Sequence, residues 1–189
     1  LKNLIMLIRK IILYLIIFMV ASSTTKGQVY FTKNGSISFF SKTILQNIQA
    51  DNNEVISILN LQTGALQFSL LNTAFHFPKA KMEEDFNENY MESDKYPRSI
   101  FKGSIANIDK IDFSKVGTWP VNVTGDLMIH GVTKNITTSG KIIIKDGKIS
   151  AAASFKILLE DYHIKIPSIV SNKISENIEI NIDCNYEKK

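Results

Sequence analysis

From Trp119 onward, apolar and polar residues alternate. Trp119, Val121, Val123, Leu127 and Ile129 share one parity, while Asn122, Thr124, Asp126 and His130 fall on the other. Successive side chains of a β-strand point to opposite faces, so this pattern predicts a half-buried strand that ends in a turn at Gly131. The same period of two recurs along much of the chain. Residues 29–33 form a short β-rich run followed by Asn34-Gly35, a turn signal, and a new run begins at Ile37 and Phe39. Residues 55–61 lead through Thr63-Gly64 into Leu66, Phe68 and Leu70. That strand is expected to continue to Phe75 and Phe77, with a parity change near Asn72 that predicts a bulge.

Further strands are expected over residues 100–108 after Pro97, then 119–129 and 136–144. Asp146-Gly147 is the strongest hairpin signal, because a type I′ turn needs positive φ at both central positions. Residues 151–159 supply the return strand and 178–186 the last one, with Glu179, Asn181, Asp183 and Asn185 on its wet face. Eight main strands joined mostly by short turns predict an all-β fold, an eight-stranded antiparallel up-and-down barrel, since closure removes the exposed edges. One helix interrupts them over residues 79–90, where Met82, Phe86 and Tyr90 make an apolar stripe. Its acids, Glu83, Glu84, Asp85 and Glu88, read as a solvated face over a barrel opening rather than a cation site, for they lack a calcium loop's glycine and ligand spacing.

The first residues follow a different rule. Lys2, Arg9 and Lys10 precede an apolar run over 11–20 and the small residues Ala21-Ser22-Ser23. That order predicts a secretory signal peptide over residues 1–23, with the domain at 28–189 and no stable membrane span after cleavage. The protein is expected to be periplasmic or secreted. Charge then changes meaning. Four of the 22 basic residues (Lys2, Arg9, Lys10 and Lys26) precede Gly27, which leaves 18 against 18 acidic residues in the remainder. A near-neutral chain with interspersed charges does not read as a nucleic-acid binder.

Candidate chemistry is sparse. Cys184 is the only cysteine, on the apolar parity of the last strand, and reads as a small buried hydrophobe. His76, His130 and His163 lie in separate strands or turns and form no ligand pair; His130, on the polar parity, reads as solvent-facing. No nucleophile elbow or phosphate-cradling loop is present, so neither an enzyme nor a cofactor is expected. Aromatic and aliphatic strand positions are abundant. Phe39, Phe68, Phe75, Phe77, Phe101, Trp119 and Phe155 either fill a core or line a cavity for an apolar ligand, and both readings need the same alternation.

Gly125-Asp126-Leu127-Met128-Ile129-His130-Gly131-Val132-Thr133-Lys134 resembles the G-x-L-x-I-x-G-V-T-[KR] motif of the YceI-like family, lipocalin-like bacterial proteins. Tyr96-Pro97-Arg98-Ser99-Ile100-Phe101 is similar to that family's Y-P-x-[IA]-x-F segment. The likeness runs from about Val29 to the C-terminal strand, but the piece Leu159-Glu160-Asp161-Tyr162-His163 lacks the Arg and Gly of the family's R-x-D-aromatic-G form. The resemblance implies a lipocalin-like barrel that binds, and carries without catalysis, a long apolar chain such as a polyisoprenoid or a fatty-acid or amide-like lipid. The expected wall residues are Phe39, Phe68, Phe75, Phe77, Phe101, Trp119, Val121, Val123, Leu127, Phe155 and Ile180, with the helix as a lid and no metal. The alternative is a solidly packed barrel acting through its surface. The oligomeric state is left open, a homodimer included.

Overall fold

The computed structural model describes residues 28–189; the expected signal peptide lies outside them. Eight antiparallel strands close into one up-and-down barrel in chain order: β1 (Val29–Lys42), β2 (Asn47–Asn60), β3 (Ala65–Leu71), β4 (Arg98–Ile105), β5 (Gly117–Ile129), β6 (Val132–Lys145), β7 (Lys148–Leu158) and β8 (Asn177–Lys188). β8 pairs back onto β1, which removes the sheet edges. Both Asp146-Gly147 and His130-Gly131 form two-residue hairpins with both φ positive (51° and 73° in each), the combination that matches strand twist.

Two sequence expectations fail at the front of the barrel. Asn34-Gly35 is no hairpin: β1 runs straight through it, with register irregularities between Thr32 and Ile37. Gly35 faces inward, where a Cβ would stand 2.6 Å from Cys184 Sγ, so the glycine serves close packing across β1 and β8 rather than a turn. The run to Phe77 also breaks. β3 stops at Leu71, a 3-10 turn follows over Asn72–Ala74, and only an Asp51–His76 bridge remains of the expected continuation. Asn72, fully buried, fixes this turn: its Nδ2 donates to Tyr96 O at 2.6 Å and its Oδ1 accepts from Ser99 Oγ at 2.8 Å. The expected helix is present over 80–90, but its winding changes: one α segment, α1 (Ala80–Asp85), passes into a wider π turn over Phe86–Tyr90.

The pairing is uneven. β5 and β6 pair along the whole of β5, but β6 and β7 pair only over 140–145 and β2 and β3 only over 56–59. The barrel is therefore two four-stranded halves, β3–β6 and β7–β2, that part toward one end. At the other end the interior is solid. Val55, Leu59, Ile144, Ile149, Cys184 and Tyr186 are at most 4 % exposed, and Ser57 Oγ lies 2.7 Å from Tyr186 OH among them. Removing such side chains from water, at about 25 cal/mol per Å2 of apolar surface, is the main stabilisation available to a chain with one cysteine.

Candidate functional site

The parted end is a mouth. Four connections lie there: 43–46, 72–97 (with α1), the tight turn 130–131 and 159–176. Beneath them is a cavity of about 360 Å3, inside the ~300–1,000 Å3 range of small-molecule sites. Register explains its walls. Phe68, Phe101 and Leu127 are cross-strand partners on β3, β4 and β5, and Phe155, Ile180 and Phe39 are partners on β7, β8 and β1. One apolar row thus runs across each half of the barrel, and both line the cavity. Phe68 and Phe101 have ring centroids 6.3 Å apart. Deeper, Val121, Val123, Ile142 and Ile182 line the space down to the packed floor.

At the mouth, Phe39, Phe75, Phe77 and Phe86 cluster with centroids 5.1–5.7 Å apart. The broken β3 run is what brings this about: after the 3-10 turn, Phe75 and Phe77 cross the opening and meet Phe86 at the start of the π turn. Phe77 N donates to Glu83 Oε2 at 3.2 Å, which ties that crossing to the helix. Polar lining is confined mostly to the rim: Gln46, Asp85 and Lys173. Beside Asp85, the Tyr90 hydroxyl is held above its ordinary range, by burial first and by the Asp85 charge second. The other polar lining groups at this end are spoken for within the fold: Ser41 Oγ accepts from Ser175 N at 2.8 Å and Ser99 Oγ donates to Asn72 Oδ1 at 2.8 Å, while Thr138 and Lys141 line the space from β6.

Ten of the eleven expected wall residues line this space: Phe39, Phe68, Phe75, Phe77, Phe101, Val121, Val123, Leu127, Phe155 and Ile180. Trp119 does not. Its parity is inward, but it stands one inward step beyond Val121 on the floor side, and a Cβ on Gly117 would lie 3.5 Å from its indole Nε1. That Nε1 is buried with no hydrogen-bond partner among the described residues. Alternation gives the face of a residue and not its height, and Trp119 has the wrong height.

Lining residues that the alternation does not single out come from irregular segments. Leu159, Ile164, Val170 and Ile174 belong to the 159–176 connection, and Ile48 to the first part of β2. The doublet Ile164-Lys165-Ile166 is the only hint of the former in the sequence. His130 is a correction. Its side chain is 10 % exposed, with Nε2 2.9 Å from Glu92 Oε2 and Nδ1 3.1 Å from Tyr162 O. Positive φ at His130 swings the side chain off the solvent face that strand parity assigned to it. Among the described residues, no three His, Cys, Asp or Glu side chains gather as a metal site, and no helix is long and apolar enough to cross a membrane.

Several solved structures share this barrel. A polyisoprenoid binding domain from Saccharophagus degradans superposes with a TM-score of 0.74 at 15% identity, covering 87% of this chain and 100% of that one. BcnA of Burkholderia cenocepacia follows at 0.67 and 14%, covering 82% and 96%. The Campylobacter jejuni YceI protein gives 0.55 and 22%, covering 71% and 81%. No curated protein matches the chain in sequence. The family model of the YceI-like domain matches residues 18–186, nearly the whole chain. With the closed eight-stranded barrel and the Gly125–Lys134 and Tyr96–Phe101 segments in their places, the chain belongs to the YceI-like family.

Proposed function

We propose that this protein binds a long-chain apolar molecule, a polyisoprenoid or a fatty-acid or amide-like lipid, in the barrel interior. One observation carries the reading: an apolar cavity runs from an aromatic mouth to a solid floor, with polar lining mainly at the rim. An apolar tail gains ~0.8 kcal/mol per buried CH2, so about ten buried methylenes supply roughly 8 kcal/mol before ordering costs. Tight holding therefore needs no bond-making chemistry in the walls, and the function is binding and carriage without catalysis. Gln46, Asp85 and Lys173 are placed to meet a polar head group at the rim. The description of the Saccharophagus degradans structure as a polyisoprenoid binding domain supports the ligand class.

The ligand-binding wall is Phe39, Phe68, Phe75, Phe77, Phe101, Val121, Val123, Leu127, Phe155 and Ile180. The charged start and apolar run of residues 1–23 support export, so the carrier works in the periplasm or outside the cell. The test is direct: purify the protein, extract with organic solvent, and analyse the extract by mass spectrometry. A retained long-chain lipid, or stoichiometric uptake of an added prenyl or acyl lipid by delipidated protein, is expected. Neither retention nor uptake would overturn the reading.

A further inference from the structure

His130 sits at the tip of the β5–β6 hairpin, between the two long segments that close the mouth. Its Nε2 lies 2.9 Å from Glu92 Oε2, near the end of the 72–97 segment. Its Nδ1 lies 3.1 Å from the carbonyl oxygen of Tyr162, in the 3-10 turn Glu160–Tyr162 at the start of the 159–176 segment. Its ring packs edge-on against Tyr96, centroids 4.5 Å apart. Both hydrogen-bond partners are acceptors, so the ring serves both at once only when each nitrogen carries a proton. Such charge-assisted bonds are the stronger kind.

His130 takes its positive φ of 51° from the hairpin turn, as Asp146 does. Glu92 holds φ 44° outside any hairpin, a conformation that non-glycine residues adopt at a cost and keep only where the surroundings hold them. The other charged groups here act on the same two segments: Lys134 Nζ reaches Asp161 Oδ1 at 3.5 Å, and Lys95 Nζ lies 4.8 Å from the Tyr96 ring centre. His130 itself is not part of the cavity lining. It touches the covers and not the contents.

We propose that His130 is a latch: a positioning residue that couples the two mouth segments and sets how fast ligand passes the mouth, not how tightly it is held. The proposal rests on the ligand-binding reading above. Opening the mouth without altering a wall contact lowers the barrier in both directions, so association and dissociation speed up together.

The test uses two variants and a fluorescent polyene fatty acid as probe, followed by stopped flow on the delipidated protein. His130→Asn keeps a residue that tolerates the left-handed backbone but is too short to span both partners. Glu92→Gln keeps an acceptor oxygen and removes the charge. His130→Asn is expected to raise both rates at least about tenfold, the loss of one or two such bonds, while Kd moves less than about threefold. Glu92→Gln should give a smaller change of the same sign. In ligand-free protein, amide hydrogen exchange should quicken over 86–96 and 159–166 and stay unchanged in the strands. Unchanged rates, or a weakened Kd with an unchanged association rate, would overturn the latch, as would unchanged exchange in those segments. If the wild-type protein takes up no lipid, the ligand-binding reading fails, and the exchange comparison still decides whether His130 couples the segments.

Discussion

Gly103 and Gly125 face each other across β4 and β5, and the ring of Phe101 lies over the pair. A Cβ on Gly125 would stand 2.7 Å from Phe101 Cζ, and one on Gly103 2.6 Å from it. The ring therefore extends along the wall instead of across the cavity. A Cβ on Gly125 would also stand 2.5 Å from Gly103 Cα and from Lys102 O, so Gly125→Ala should push both the β4 backbone and the ring away and destabilise the protein by about 1–3 kcal/mol, the usual range for overpacking. Urea denaturation measures the cost. Adding Phe101→Leu should recover part of it, because the two sites touch; strict additivity would show that the ring is not what the methyl meets.

Ala153 lines the cavity from β7, where its partners are Gly140 and Ile182. Ala153→Phe fills the space without adding a charge. Lipid uptake should fall at least about tenfold, equivalent to 1.4 kcal/mol, while the far-ultraviolet circular dichroism stays that of a barrel. Titration with a fluorescent fatty acid reads the loss.

Trp119 buries an indole N–H that finds no partner among the described residues. An unmade hydrogen bond has a desolvation cost, so deleting the group recovers it. Trp119→Phe should change stability by less than about 1 kcal/mol, while Trp119→Ala should cost more, up to the ~3–5 kcal/mol of a fully buried Trp, since the side chain is half-buried. The urea midpoints of the two variants give the comparison.

Burial, with a smaller push from the Asp183 charge, raises the Cys184 thiol from its ordinary 9.0 to about 12. Burial, aided by Asp161, raises Tyr162 from 10.0 to about 12. Tyr186 moves the same way. Each group holds its proton more tightly folded than unfolded, so this contribution is whole below the unfolded values and is lost as pH rises toward the folded ones. Urea midpoints should fall steadily from about pH 9 to pH 12. At pH 8, a thiol reagent should modify Cys184 only as fast as the protein unfolds, since the side chain is fully buried.

Alternation made β4–β8 legible because each strand has one wet and one dry face. The turn dipeptide misled at Asn34-Gly35, where the glycine answers to Cys184 across the barrel and not to a turn. The first part of β2 was hidden: Asn47, Gln49, Asp51, Asn52, Asn53 and Glu54 are polar, and apart from the Asp51–His76 bridge β2 there pairs only with β1. Phe75 and Phe77 were read as strand because aromatics on a period of two look the same whether they extend a sheet or cross its end. The wall residues were visible as inward positions, but whether their faces meet or leave a space is decided by the parting of the two barrel halves. No local pattern encodes that, nor the height at which Trp119 stands. The contact of His130 with Glu92 and Tyr162 depends on two residues remote in sequence.

The barrel begins and ends at its solid floor. Lys189 N donates to Val29 O, and Tyr30 pairs with Lys188, so the two ends of the described segment lie on the side opposite the mouth. Polypeptide joined ahead of Gln28 is therefore attached to the bottom of the cup. A tether or fusion placed there would hold the protein upright on its anchor, with the aromatic rim presented outward to whatever donor or acceptor approaches.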